Sequence, residues 1–213
     1  MITFRNALLA GAVVLAIGAC AQPPAPPAAQ VEAAGAPAAR DYAAEIVSAD
    51  GAIGVPADFD RWPTLGSWAT ASAGEGAPVD EWHQVYVSPG GIESYLANGK
   101  FADGTVLVKD VRGFAAATLN TGHAHYPTEV AVRFVMVKDS TNARADHPLW
   151  GDGWGWALYN GTDTTTQAAP SYEEGCQACH VPATSTDYIF AEAYPVLRNG
   201  GPAATPSWAN PAQ

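Results

Sequence analysis

Two cysteines three positions apart and followed at once by histidine, Cys176-Gln-Ala-Cys179-His180, constrain this chain more than any other feature of its 213 residues. The two thiols of such a run can form thioethers to the two vinyl groups of one haem, and the adjacent imidazole is then placed to ligate the iron. The motif therefore predicts one covalently held c-type haem, attached near the C-terminus. Two competing uses of the pattern fit less well. A thioredoxin-like C-x-x-C needs a βαβ context that is missing, and a zinc site needs a second ligand pair.

The remaining cysteine, Cys20, closes a leader. Arg5 lies in a short basic start, Ala7 to Ile17 form an apolar run too short to span a bilayer, and Gly18-Ala19 precede the cysteine. Small residues directly before a cysteine resemble a bacterial lipoprotein signal, so residues 1–19 read as a signal peptide and Cys20 as the lipidated first residue of the mature chain. An ordinary secretory signal cleaved nearby is the alternative, and both readings export the protein to the periplasmic side. Residues 20–40 are a Pro/Ala-rich linker without an aromatic residue, which cannot bury enough apolar area to fold. At about 3 Å per residue it would act as a semi-extended stalk. Residues 41–199 read as the haem domain and 200–213 as a flexible tail. Removing the leader takes away Arg5 and no acid, leaving 9 basic against 21 acidic residues, a net −12. That excludes a nucleic-acid partner and disfavours docking on anionic lipid, so membrane contact would come only through the lipid anchor. The 48% apolar content and seven tryptophans support a packed core.

Turn signals recur between short apolar or alternating runs: Asp50-Gly51, Gly90-Gly91, Asn98-Gly99, Asp103-Gly104, Asn120-Thr-Gly122, Gly151-Asp-Gly153 and Asn160-Gly161. Glu81–Val87, Thr105–Lys109, Val130–Val137 and Trp154–Tyr159 are strand candidates rich in β-branched and aromatic residues. Helical pieces are predicted over Ile92–Asn98, Tyr172–His180 and Asp187–Tyr194. The fold class is α+β, a mainly antiparallel β-sheet with a few short helices.

The sixth position of the iron can be argued by exclusion, since electron-carrier cytochromes commonly use Met or a second His. Neither follows His180. Before it stand Met136, His83, His123, His125 and His147. A four-helix cytochrome is disfavoured by the turns and β-branched runs. An open, five-coordinate iron in a β-rich domain is the leading reading.

Phe101-Ala-Asp-Gly-Thr-Val-Leu-Val-Lys109, Val137-Lys-Asp139, Gly153-Trp-Gly-Trp156, the haem motif and Thr186-Asp-Tyr-Ile-Phe190 running into Tyr194-Pro-Val-Leu-Arg198 together resemble the cytochrome P-460 family, with its relative cytochrome c-prime-beta, over about Val55 to Arg198. The resemblance implies a mainly antiparallel β-fold, usually a homodimer, and one haem whose proximal ligand is His180. It also implies that Lys109 corresponds to the lysine that bonds covalently to the porphyrin edge in the P-460 branch. Read without the family, Lys109 is a solvated or edge-strand lysine. Burial beside an apolar macrocycle would lower its pKa toward the neutral amine that such a bond needs. Hydroxylamine-oxidising members carry a glutamate where this chain has Phe134, which cannot accept a proton. A gap in this strand would bring Glu129 there instead. Arg133 should point away from Phe134. A phenylalanine over the iron resembles the c-prime-beta style of pocket, suited to nitric oxide.

Trp154 and Trp156 share a strand face, and with Trp150 they read as core or as a wall of the haem pocket. His123-Ala-His125, in the loop before the Phe134 strand, is weak as a metal pair but holds the nearest other candidate bases, while His83 reads as a packed histidine or a distal polar group. Asn160-Gly-Thr162 reads as a turn. Two function classes remain: an oxidoreductase that takes hydroxylamine or nitric oxide and passes electrons to an external acceptor such as a small cytochrome, and a haem protein that binds nitric oxide without turnover. A pure electron carrier requires Met136 or a free histidine on the iron.

Overall fold

Alternation of Val, Leu and aromatic residues along the central strands gives a sheet with two apolar faces, and each is covered by a different part of the chain. A computed structural model describes residues 40–198; the expected signal peptide, Cys20, all but the last residue of the linker, and the tail lie outside them. Six strands, β1 (Thr64–Thr70), β2 (Glu81–Val87), β3 (Val106–Leu119), β4 (Gly122–Lys138), β5 (Trp150–Gly151) and β6 (Trp154–Asn160), form one antiparallel sheet in the order β1-β2-β3-β4-β6-β5. Tyr86, Val108, Val135, Ala157 and Tyr159 face one way and pack on Ile53, Phe59 and Trp62 from the segment preceding β1. Helix α1 (Tyr42–Ile46), capped by the Asp41 carboxylate on the Ala44 N–H at 2.9 Å, adds to this layer. Val85, Leu107, Met136 and Trp156 face the other way, toward α2 (Gly91–Asn98) and the C-terminal segment.

The four expected strands are present, and two run further than expected. β3 and β4 continue past Lys109 and start before Val130, because after β2 ends opposite Gly113 they pair only with each other as a ribbon closed by Asn120-Thr121. Pro127 is tolerated in this ribbon, opposite Phe114 and next to register shifts at Arg112. This places His123 and His125 on a strand, where a loop was expected. β1 was not foreseen: Thr-Leu-Gly-Ser-Trp-Ala-Thr is poor in β-branched apolar residues, and it survives as an edge strand with alternating burial.

The helix expected over Asp187–Tyr194 is not formed. Asp187 and Tyr188 both adopt left-handed backbone, with φ of 62° and 64°, and only a short 3-10 turn, Ala191–Ala193, follows. Such a conformation costs a non-glycine residue of order 1–3 kcal/mol and persists only when its surroundings over-determine it. The Asp187 side chain supplies that restraint. One carboxylate oxygen accepts from Lys138 Nζ at 2.6 Å and the other from the Phe101 N–H at 2.9 Å, while the Asp187 carbonyl accepts from Trp154 Nε1 at 3.1 Å. Both charged side chains are buried, 6% and 4% exposed. Removing one partner of such a pair strands the other charge, so Asp187→Ala is expected to lower the unfolding free energy by about 3–5 kcal/mol. Urea titration of the holoprotein followed by far-UV circular dichroism measures it; a loss below about 1 kcal/mol, the range of a surface pair, would mean that this contact does not pin the segment.

Candidate haem site

Between the α2-side face of the sheet and the C-terminal segment lies a cavity of about 940 Å³, lined by Lys109, Phe134, Cys176, Cys179 and His180 among others. Its size is at the upper end of small-molecule and cofactor pockets. Every candidate haem residue of the sequence therefore meets in one place.

The motif occupies a helical stretch that begins as a π-turn, Glu173–Gln177, and continues as α3 (Ala178–His180). Residues three apart on a helix share a face, which brings both thiols to one side. Cys176 is buried, Cys179 exposed, and neither is in a disulfide. Burial and the neighbouring Cys179 push the Cys176 thiol up to about 11. The His180 Nδ1–H donates to the Tyr188 carbonyl at 2.7 Å, because that carbonyl can only accept. Nε2 is then the lone-pair nitrogen, and burial holds the imidazole pKa below its ordinary value, so the ring is neutral and fit to ligate. The Tyr188 carbonyl sets both tautomer and ring angle.

Trp156 backs the His180 ring, with centroids 4.7 Å apart, and stacks at 4.9 Å on Tyr172. Tyr172 fits because residue 151 is glycine: a Cβ there would lie 2.5 Å from its ring. The Tyr172 hydroxyl donates to Asp152 at 2.5 Å, and Trp156 Nε1 donates to the Gly151 carbonyl at 3.0 Å. Trp154 lies on the same strand face, whereas Trp150 belongs to the opposite core layer.

Across the cavity, Lys109 and Phe134 are directly paired on β3 and β4. Lys109 Nζ lies 5.4 Å from the ring centroids of both Trp68 and Phe134. Burial in this aromatic niche lowers its pKa, although Cys179 and Glu81 oppose the shift. The solvated lysine of the family-free reading is thus replaced by an enclosed one. Arg133 points to the far face as expected, bonded to the fully buried Asp110 at 2.6 Å.

Other candidates separate cleanly. Glu129 is exposed beside Thr128 and Gly113, outside the cavity lining, so the chain does not bring it to the Phe134 position. His123 and His125 lie on the projecting ribbon, where His125 stacks on Phe114 at 5.2 Å; among the described residues no group of three or more side chains is set to hold a metal ion. His147 is beside Gly51, against the other core layer. Met136 lines the cavity opposite Trp156 in register. His83 also lines it, 5.1 Å from the Trp68 ring, with Nε2 3.1 Å from a Glu81 carboxylate oxygen. Sequence reading missed Trp68, Glu81 and Tyr194 as parts of the site; the only available signal was the alternation around Trp68 in a strand of weak propensity.

Two thiols on one helical face, a neutral imidazole with a free Nε2 and aromatic walls fit a c-type haem. In this arrangement Cys176 and Cys179 would hold its edge and His180 its iron. The aromatic stack behind His180 predicts that Trp156→Ala lowers stability by about 3–5 kcal/mol. Urea unfolding at matched haem content checks this; a change within about 1 kcal/mol would show that the ring can be dispensed with.

No curated protein matches the chain. The family model for cytochrome P-460 matches residues 56–191, a span that takes in Trp68, His83, Lys109, Phe134, Cys176, Cys179 and His180. The chain belongs to the cytochrome P-460 family, as a c-type haem protein.

Proposed function

We propose that this cytochrome oxidises hydroxylamine, with nitric oxide as a second ligand, and passes the electrons to an external acceptor such as a small cytochrome. The observation that carries the reading is the one-sided placement of the ligating groups. Cys176, Cys179 and His180 stand on one wall, and the opposite wall is formed by Lys109, Phe134 and Trp68. A haem bound here would supply a redox centre able to take electrons from a small nitrogenous molecule. His180 would hold the iron through Nε2, with its Nδ1–H kept on the Tyr188 carbonyl. Phe134 and Trp68 exclude water and restrict the ligand to a few atoms.

In this reading Lys109 would be the residue that bonds covalently to the haem. Its pKa is lowered by burial, which favours the neutral, nucleophilic amine. Joining an amine N–H to a ring C–H removes two electrons and two protons, so maturation requires an oxidant of the peroxide class. The proposal extends to the cell: an exported, periplasmic protein held to a membrane by lipid on Cys20, working as a homodimer. Among the described residues no helix is long and apolar enough to cross a membrane.

Purified holoprotein is expected to reduce an artificial acceptor when hydroxylamine is added. Its tryptic Cys176–His180 haem peptide is expected to carry the Lys109 peptide as well. Lys109→Met should release a haem peptide of the motif alone, with an ordinary c-type haemochrome spectrum. Nitric oxide binding without any hydroxylamine-dependent reduction would instead make the protein a gas binder, and an unmodified Lys109 would remove the crosslink.

A further inference from the structure

Among the described residues that line the cavity, one side-chain polar atom is buried without a hydrogen-bond partner: Nδ1 of His83. The other ring nitrogen determines its character. An ionised carboxylate can only accept, so Nε2 carries the proton in its 3.1 Å bond to Glu81 and Nδ1 keeps its lone pair. The Trp68 ring, 5.1 Å away, holds the imidazole from the β1 side.

Along the sheet His83 is well separated from the motif. His180 rests on Trp156 of β6, and β2, which carries His83, is three strands away in the sheet order. Three inter-strand steps span about 14 Å. Lys109 on β3 and Phe134 on β4 stand between the two histidines. The titratable groups facing His83 are Glu81 on its own strand and Lys109 on β3, and Glu75 lines the cavity from the β1–β2 connection. Burial lowers the imidazole pKa, Glu81 opposes this and Lys109 adds to it, which leaves a neutral ring at pH 7.

We propose that His83 is the proton acceptor of the distal cavity, with Glu81 as the positioning residue that fixes its accepting tautomer. Its substrates are small neutral molecules that must shed a proton to react, hydroxylamine among them. In the step, an O–H or N–H bond of the ligand breaks, its electron pair stays on the ligand, and Nδ1 takes the proton; no electron is exchanged. The Glu81 carboxylate then faces the imidazolium. This supplies the base that Phe134, which has no acceptor atom, cannot be. The proposal rests on the functional reading above, and its test does not require turnover.

Hydrogen cyanide is a neutral weak acid that must lose its proton to bind as the anion, whereas nitric oxide has none to lose. Stopped-flow association of each ligand is compared for the natural ferric holoprotein, His83→Gln and Glu81→Gln at matched haem content. At pH 7, His83→Gln is expected to slow cyanide about 100-fold and leave nitric oxide unchanged. Glu81→Gln should produce a smaller slowing. Both deficits should vanish at alkaline pH, where cyanide is already ionised. Equal slowing of both ligands, or no slowing of cyanide, would overturn the proposal. So would a low-spin ferric spectrum that becomes high-spin in His83→Gln, because His83 would then be an iron ligand. If His83→Gln does not load haem, Glu81→Gln decides: cyanide association unchanged at pH 7 overturns the proposal. A selective cyanide effect without hydroxylamine turnover would leave the proton acceptor standing and remove the oxidase reading.

Discussion

The site depends on the buried pair between Lys138 and Asp187. The pair joins the end of β4 to the left-handed turn at Asp187 and Tyr188, and that turn aims the Tyr188 carbonyl at Nδ1 of His180. A left-handed aspartate and tyrosine in succession are unfavourable on their own, and a charge taken from water is costly. Each cost is offset by the same set of bonds, from Lys138, from the Phe101 N–H and from Trp154 Nε1. The orientation of the His180 ring therefore rests on contacts with β4, β6 and the segment before β3, rather than on the short helix that carries the motif.

The sheet divides the work between its faces. On one side, Asp110 is fully buried and accepts from Arg133 and Arg112, while Tyr159 donates its hydroxyl to the Ile53 carbonyl. Of these, the Arg133–Asp110 bonds cross from β4 to β3 and help to fix their register. A slip of one residue would turn Lys109 and Phe134 away from the cavity. Because the register is held from the first face, the second can leave a gap between Lys109, Phe134 and the C-terminal segment without losing the alignment of its walls.

Much of this was legible in the residues. The motif at Cys176–His180 is local, so its meaning does not depend on the fold, and the β-branched and aromatic residues of β2, β4 and β6 announce strands directly. Parity along β4 was enough to separate Arg133 from Phe134, as the structure bears out. What escaped was non-local. β1 has weak propensity and exists because β2 offers it an edge. The apolar spacing of Asp187–Tyr194 suits a helix, but a buried lysine 49 positions earlier overrides it. The character of His83 depends on a carboxylate two residues away and on a tryptophan from an unforeseen strand. No pattern within β2 distinguishes such a histidine from one packed in a core.

The central claim is that the chain gives the iron one ligand, His180, and leaves the opposite position to a small molecule. The ferric holoprotein's electron paramagnetic resonance spectrum at low temperature tests this most directly. The account predicts a high-spin signal in the resting protein that converts on adding a strong-field ligand. A resting low-spin signal would contradict it, and would mean that a second side chain lining the cavity, Met136 or His83, already occupies the position.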